Sequence, residues 1–157
     1  MGMGNGSLID SDAIDEGVNQ MRRQLGNGIV DVKFQYQNGH SFTQRNGDDI
    51  RAARVTVAPG IHGQGGYFDI QWWENEDYKY HYREKELEFR FGREATNEAT
   101  DKPVRHFHPP NTRNAHKQSC IGVDYPPALV TIAVLKTWWT AVENGNRDLV
   151  NAQDGLP

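Results

Sequence analysis

Tyr78-Lys79-Tyr80-His81-Tyr82-Arg83 is the stretch that decides the fold. Side chains along a strand point to alternate faces. Three phenol rings therefore share one face, and a lysine, a histidine and an arginine share the other. A helix would scatter the rings around its circumference. The stretch reads as a β-strand with one covered aromatic face and one face turned to water.

The period of two continues on both sides. Downstream, Leu87, Phe89 and Phe91 alternate with Glu86, Glu88 and Arg90. Upstream, Tyr67 to Trp73 reads as a strand, and Ala53, Val55 and Val57 alternate with Arg54 and Thr56. Further back, Val30, Val32, Phe34 and Tyr36 alternate with Asp31, Lys33, Gln35 and Gln37. Asn38-Gly39 is a hairpin signal. Pro59 to Gly66 and Asn75-Glu76-Asp77 mark further turns. Glu94 to Lys102 is a polar loop without periodicity. Val104 to His108 forms a short last strand or an extended edge, stopped by Pro109-Pro110.

A helix is expected at each end. Ile14, Val18, Met21 and Leu25 make one stripe over Ser11 to Leu25. Ser11 is placed to cap it, Arg22 and Arg23 suit its end, and Gly26 and Gly28 stop it. Pro126-Pro127 opens the second helix, because the first turn tolerates a missing N–H, with Asp124 as its cap. Leu129, Ile132, Ala133, Leu135, Trp138, Trp139 and Val142 give that helix a broad apolar face, and Gly145 ends it. Two adjacent tryptophans cannot both face one stripe, so one is expected at the surface, where it would mark a partner or a homo-oligomer interface. The fold expectation is α+β: an antiparallel meander sheet of five to six strands, with an N-terminal and a C-terminal helix packed on one face. Residues 1–157 make a single domain, with 1–10 and 146–157 as loose tails.

A chain of 157 residues is long enough for one sizeable core. Only 36% of it is apolar, but aromatic residues make up 10% and bury a large area each. No apolar run is long enough to span a bilayer. Met1 to Ser7 is glycine-rich and lacks the apolar centre of a signal peptide. One cysteine cannot form an internal disulfide. The expectation is a soluble cytoplasmic protein without a membrane partner. A net charge of -4 argues against broad, sequence-blind binding of nucleic acid, though not against a local phosphate site.

That charge is unevenly spread. Lys102 to Gln118 holds Lys102, Arg105, Arg113 and Lys117 and no acid, within an otherwise acidic chain. The same island contains His106-Phe107-His108 and His116. On a strand, His106 and His108 share one face, and Arg105 and Phe107 the other. Three readings stand side by side. In the first, the two imidazoles are an acid and a base for RNA cleavage, with Arg105, Arg113 and Lys117 near the phosphate and no cofactor. In the second, His106, His108 and His116, with Cys120 or water as fourth ligand, hold zinc or another transition metal. In the third, the histidines are solvated and the protein is a non-catalytic interaction module or homo-oligomer. Cys120 has no adjacent base and is not expected to be a nucleophile. His81, between Lys79 and Arg83, is expected to be exposed, unless the fourth and last strands are neighbours and it joins the histidine surface; the three tyrosines are expected in the core rather than as a stacking platform for bases. Gly60 to Gly66 lacks the Gly-Lys-Ser/Thr ending and the following helix of a phosphate loop. It is expected to be a mobile hairpin loop.

A tyrosine- and phenylalanine-rich meander, then His106-Phe107-His108-Pro109-Pro110, then Pro126-Pro127 opening a last helix, resembles the TumE-type toxins of prokaryotic toxin–antitoxin modules. The likeness covers Val30 to Glu143. It implies a cytoplasmic toxin acting on RNA and neutralised by a cognate DNA-binding antitoxin, with His106 and His108, and Arg105 beside them, carrying over. The N-terminal helix is extra to that pattern.

Overall fold

The computed structural model describes residue 4 and residues 6–152. Period-two patterning becomes one antiparallel sheet of seven strands, each neighbouring the next in chain order. These are β1 (Ile29–Tyr36), β2 (Ile50–Val57), β3 (Gly66–Trp72), β4 (Tyr78–Glu84), β5 (Leu87–Arg93), β6 (Arg105–His108) and β7 (Lys117–Gln118). The expected meander holds, with one strand more than the five to six anticipated. β7 is two residues long, too short to carry a pattern, and it pairs with His106 and Phe107.

Two helices cover one face: α1 (Ser11–Leu25) and α2 (Pro127–Asn144). They pack on each other, and α1 also lies against β2 and β3. Trp138 of α2 is fully buried, edge-on to Phe68 at 5.6 Å and tilted on Tyr82 at 5.9 Å. Tyr78, Tyr80 and Tyr82 all lie in this core. Burial favours a partner for each hydroxyl; Tyr80 and Tyr82 have one and Tyr78 has none, and Tyr80 shows how a partner is supplied. Its oxygen accepts from Trp72 Nε1 at 3.0 Å, and its own proton goes to Thr131 Oγ1 at 2.5 Å, which donates in turn to the Pro127 carbonyl at 2.8 Å. Gly17 of α1 makes the room, since a Cβ there would stand 3.1 Å from the Tyr80 hydroxyl.

Several local expectations change. Asp10, not Ser11, caps α1, accepting from Ala13 N–H at 3.0 Å, while the Ser11 hydroxyl donates to the Ile50 carbonyl. Asp124 does not cap α2. It pairs with Arg93 at 3.0 Å and Arg105 at 3.3 Å, and Pro126 takes the cap position. The turn at Asn38-Gly39 forms, with Gly39 N–H donating to Tyr36 O, but the chain then bridges Phe34 through Thr43 before β2 begins. The segment after α2 does not run loose. It makes a short 3-10 turn over Arg147–Leu149 and buries Val150. Asn151 then staples α2 to β7, through Thr137 Oγ1 and the Gln118 carbonyl. Before α1, Ile9 bridges Trp73 and Asp10 N–H donates to Trp72 O. The rest of the two expected tails, residues 1–3, 5 and 153–157, lies outside the described residues.

The first half of the Gly60–Gly66 loop is tied to β4 through Glu84. The backbone N–H groups of Ile61, His62 and Gly63 all donate to the Glu84 carboxylate, at 2.6, 2.9 and 2.8 Å. Three convergent N–H groups are an anion nest, and the chain fills it with its own side chain. Among the described residues no helix is long and apolar enough to cross a membrane.

Candidate functional site: a basic groove on the uncovered sheet face

Antiparallel register sets directly opposed residues on one face. The pairs Lys33–Arg54, Arg54–Asp69, Asp69–His81, His81–Arg90 and Arg90–His108 therefore form one transverse row over β1 to β6, on the face away from the helices. Its end opens into a groove of about 260 Å³. Lys79, His81, Arg83, Arg90, His108 and Arg113 line it, with Glu88 as the one carboxylate among its lining residues.

Of the residues singled out in the sequence, the fold gathers some and separates others. His106 and His108 stand side by side, ring centroids 4.9 Å apart, and His116 lies 4.3 Å from His108. His108 lines the groove and His106 does not. His106 instead lies over Gly92, where any Cβ would meet its Nε2 at 2.9 Å, so the glycine creates its seat. Arg113 reaches the groove and grips Glu88 through two bonds of 2.6 and 2.9 Å. Arg105 points to the opposite face, opposed to Arg93 and bonded to Asp124. Lys117 pairs with Phe107, on the core side of β6, and is exposed. Cys120 follows β7 and receives the Asn151 side chain on its backbone N–H.

The hydrogen bonds fix the state of His108. Its Nε2 faces Arg90 Nη2 at 2.8 Å and its Nδ1 faces the Arg113 carbonyl at 2.7 Å. Guanidinium only donates and carbonyl only accepts. The ring therefore carries its proton on Nδ1 and is neutral. Burial, with Arg90 next, lowers its pKa to about 4. Burial likewise takes His106 to about 4, and His81 to about 4 with help from Arg83. Burial also depresses Lys79, with Arg90 adding to it. Arg113 holds Glu88 down at about 2, well below the usual carboxylate range. At neutral pH the groove thus holds two neutral imidazoles among guanidinium groups, a setting that attracts an anion.

Among the described residues no three His, Cys, Asp or Glu side chains are disposed to hold one ion. The Nδ1 atoms of His106, His108 and His116 each face a backbone carbonyl, and a guanidinium occupies the remaining nitrogen of His108.

Sequence reasoning undervalued His81 and passed over Lys79, Arg83 and Arg90 as the wet side of a sheet. The signal lay in the hairpin registers, which bring His81, Arg90 and His108 into line.

A helix-backed antiparallel meander with a basic, histidine-bearing groove on its open face defines a small α+β protein. The family model described as Toxin TumE matches residues 29–145, from β1 to the end of α2, and the chain belongs to that toxin family. No curated protein and no solved structure matches the chain. α1 falls outside the matched span.

Proposed function

We propose that this toxin acts on RNA, and that the groove cleaves a phosphodiester without a metal, using His81 and His108 as the acid–base pair. The observation that carries the reading is the alignment of His81, Arg90 and His108 on three adjacent strands. Strands lie about 4.8 Å apart, so the two imidazoles flank a cation at a spacing of about 10 Å between backbones. A phosphate on Arg90, with Lys79 and Arg83 beside it, would have one imidazole on either side.

The chemistry then balances within the substrate. One imidazole takes the proton of the 2′-hydroxyl as its oxygen attacks phosphorus. The other gives a proton to the 5′-oxygen as the P–O5′ bond breaks. The products are a 2′,3′-cyclic phosphate and a 5′-hydroxyl. An anion in the groove raises both imidazole pKa values by opposing the guanidinium charge, which brings the pair toward working pH. His106 packs against His108 and positions it. A cognate antitoxin is the partner that family membership suggests.

A second, non-catalytic reading is favoured by one observation. Both ring nitrogens of His108 are engaged, and a groove so wired can bind phosphate without moving a proton. One experiment separates the two. Purified protein is incubated with a single-stranded DNA carrying one ribonucleotide. Cleavage at that residue, leaving a cyclic phosphate and absent from His108→Ala, supports catalysis. Tight binding with no product supports the binding reading and rejects cleavage.

A further inference from the structure

Beside the groove, on the same open face, Arg54 is held between two aromatic rings. Its guanidinium carbon stands 4.1 Å from the Phe42 ring centroid and 4.2 Å from that of Tyr67. Asp69 fixes the guanidinium from below with two bonds of 2.7 and 2.9 Å. With its charge already matched by Asp69, Arg54 is poorly placed to serve a phosphate. What it does is hold two rings at a set height and spacing. Neither ring belongs to the core: Phe42 sits on the loop between β1 and β2, Tyr67 is the second residue of β3, and both are only half-buried. Tyr67 is paired directly with Arg83, a wall of the groove, so their Cα atoms are about 5 Å apart.

We infer that Tyr67, braced by Arg54 and Phe42, is a stacking platform for an unpaired nucleobase of the strand whose phosphate lies in the groove. The inference rests on the RNA reading above and adds the substrate class, which is single-stranded rather than duplex RNA. Arg54 covers one face of the ring, and the base takes the other. A rigid aromatic next to a cationic groove is the combination by which single strands are held without sequence readout. A duplex keeps its bases stacked on one another and has none to offer. Arg54 is a positioning residue: it touches the rings and not the RNA.

The probe is a short, labelled, single-stranded RNA with 2′-O-methyl sugars, which cannot be cut, alongside the same strand with abasic sites. Binding is followed by fluorescence anisotropy. Wild type is expected to hold the intact strand roughly ten-fold more tightly than the abasic one. Tyr67→Ala should lose that preference by weakening only the intact strand, while Tyr67→Phe should keep it, since the ring and not the hydroxyl carries the stack. Equal binding of the two strands by wild type overturns the platform and leaves the RNA groove standing. So does an equal loss on both strands in Tyr67→Ala. Binding of neither strand by wild type overturns the RNA reading and the platform with it. The intact-versus-abasic comparison needs no variant, so equal binding overturns the platform even if Tyr67→Ala does not fold.

Discussion

Tyr78, Tyr80 and Tyr82 stand on β4 one residue away from Lys79, His81 and Arg83, yet the two sets live in different solvents. The tyrosines are sealed under the helices, ring against ring, and each buried hydroxyl is a liability unless paired. The basic set is only partly covered: Arg83 pairs with Glu88 and donates to the neutral His81 ring. One face of the sheet is spent on stability and the other carries the groove. The two should therefore respond to substitution almost independently.

The strongest way to break that comparison is from the covered side. Trp138→Ala removes the ring that plugs α2 onto Phe68 and Tyr82, and is expected to cost about 3–5 kcal/mol in urea unfolding. Anion affinity of the fraction that remains folded should be unchanged. A loss below about 1 kcal/mol would mean that the helix is not what covers the sheet. Tyr80→Phe is the finer probe. It leaves the Trp72 indole N–H without its acceptor and should cost about 1–3 kcal/mol. His81→Ala, its neighbour on the open face, is expected to cost about 1 kcal/mol or less.

Acid separates the faces in another way. His81, His106 and His108 are held near pKa 4 in the fold, against about 6.5 in an unfolded chain. Between those values the unfolded state binds more protons, so stability should fall as pH drops from about 6.5 to about 4, and these groups should add nothing further below that. A midpoint for urea unfolding that rises on acidification through this window would contradict the buried, neutral imidazoles. A bound polyanion sharpens the point. Followed by NMR, His81 and His108 should titrate higher with it, and His106, off the groove, should move less.

Smaller effects are expected among the charges. Glu88 is the carboxylate inside the groove and neutralises Arg113. Glu88→Gln should tighten binding of single-stranded RNA by about three- to ten-fold at ~0.1 M salt and steepen its salt dependence. Unchanged affinity would place the RNA elsewhere. Smallest of all, Lys117→Ala should leave the same binding curve within about two-fold, because its strand pairs it with Phe107 and not with a histidine.

The covered face was readable because burial selects residue type at every second position. The runs Tyr78-Tyr80-Tyr82 and Leu87-Phe89-Phe91 fell where expected, and Ser11–Leu25 carried its stripe. The open face was less readable. Charge alternation says only that a side chain meets water, not which strand lies beside it. His81 joins His108 because two hairpin registers place Arg90 opposite both. Arg105 leaves the site by plain alternation, which the sequence did show: it neighbours His106 and so faces Asp124. The nest at Ile61–Gly63 was invisible because its anion is Glu84, far along the chain and unremarkable in sequence. The last strand and the docked segment around Asn151 depend on single hydrogen bonds rather than periodicity. No pattern announces such contacts.

The central claim is that the open groove breaks RNA with His81 and His108. Its most direct test is the first-order rate of cleavage of a single-stranded RNA at saturating protein by wild type, His81→Ala, His108→Ala and the double variant. Each single change is expected to slow cleavage by about 10²–10⁴-fold, and the double by little more than the worse single, as befits groups that act together. Wild-type speed in either single variant, with its fold intact, would contradict the account.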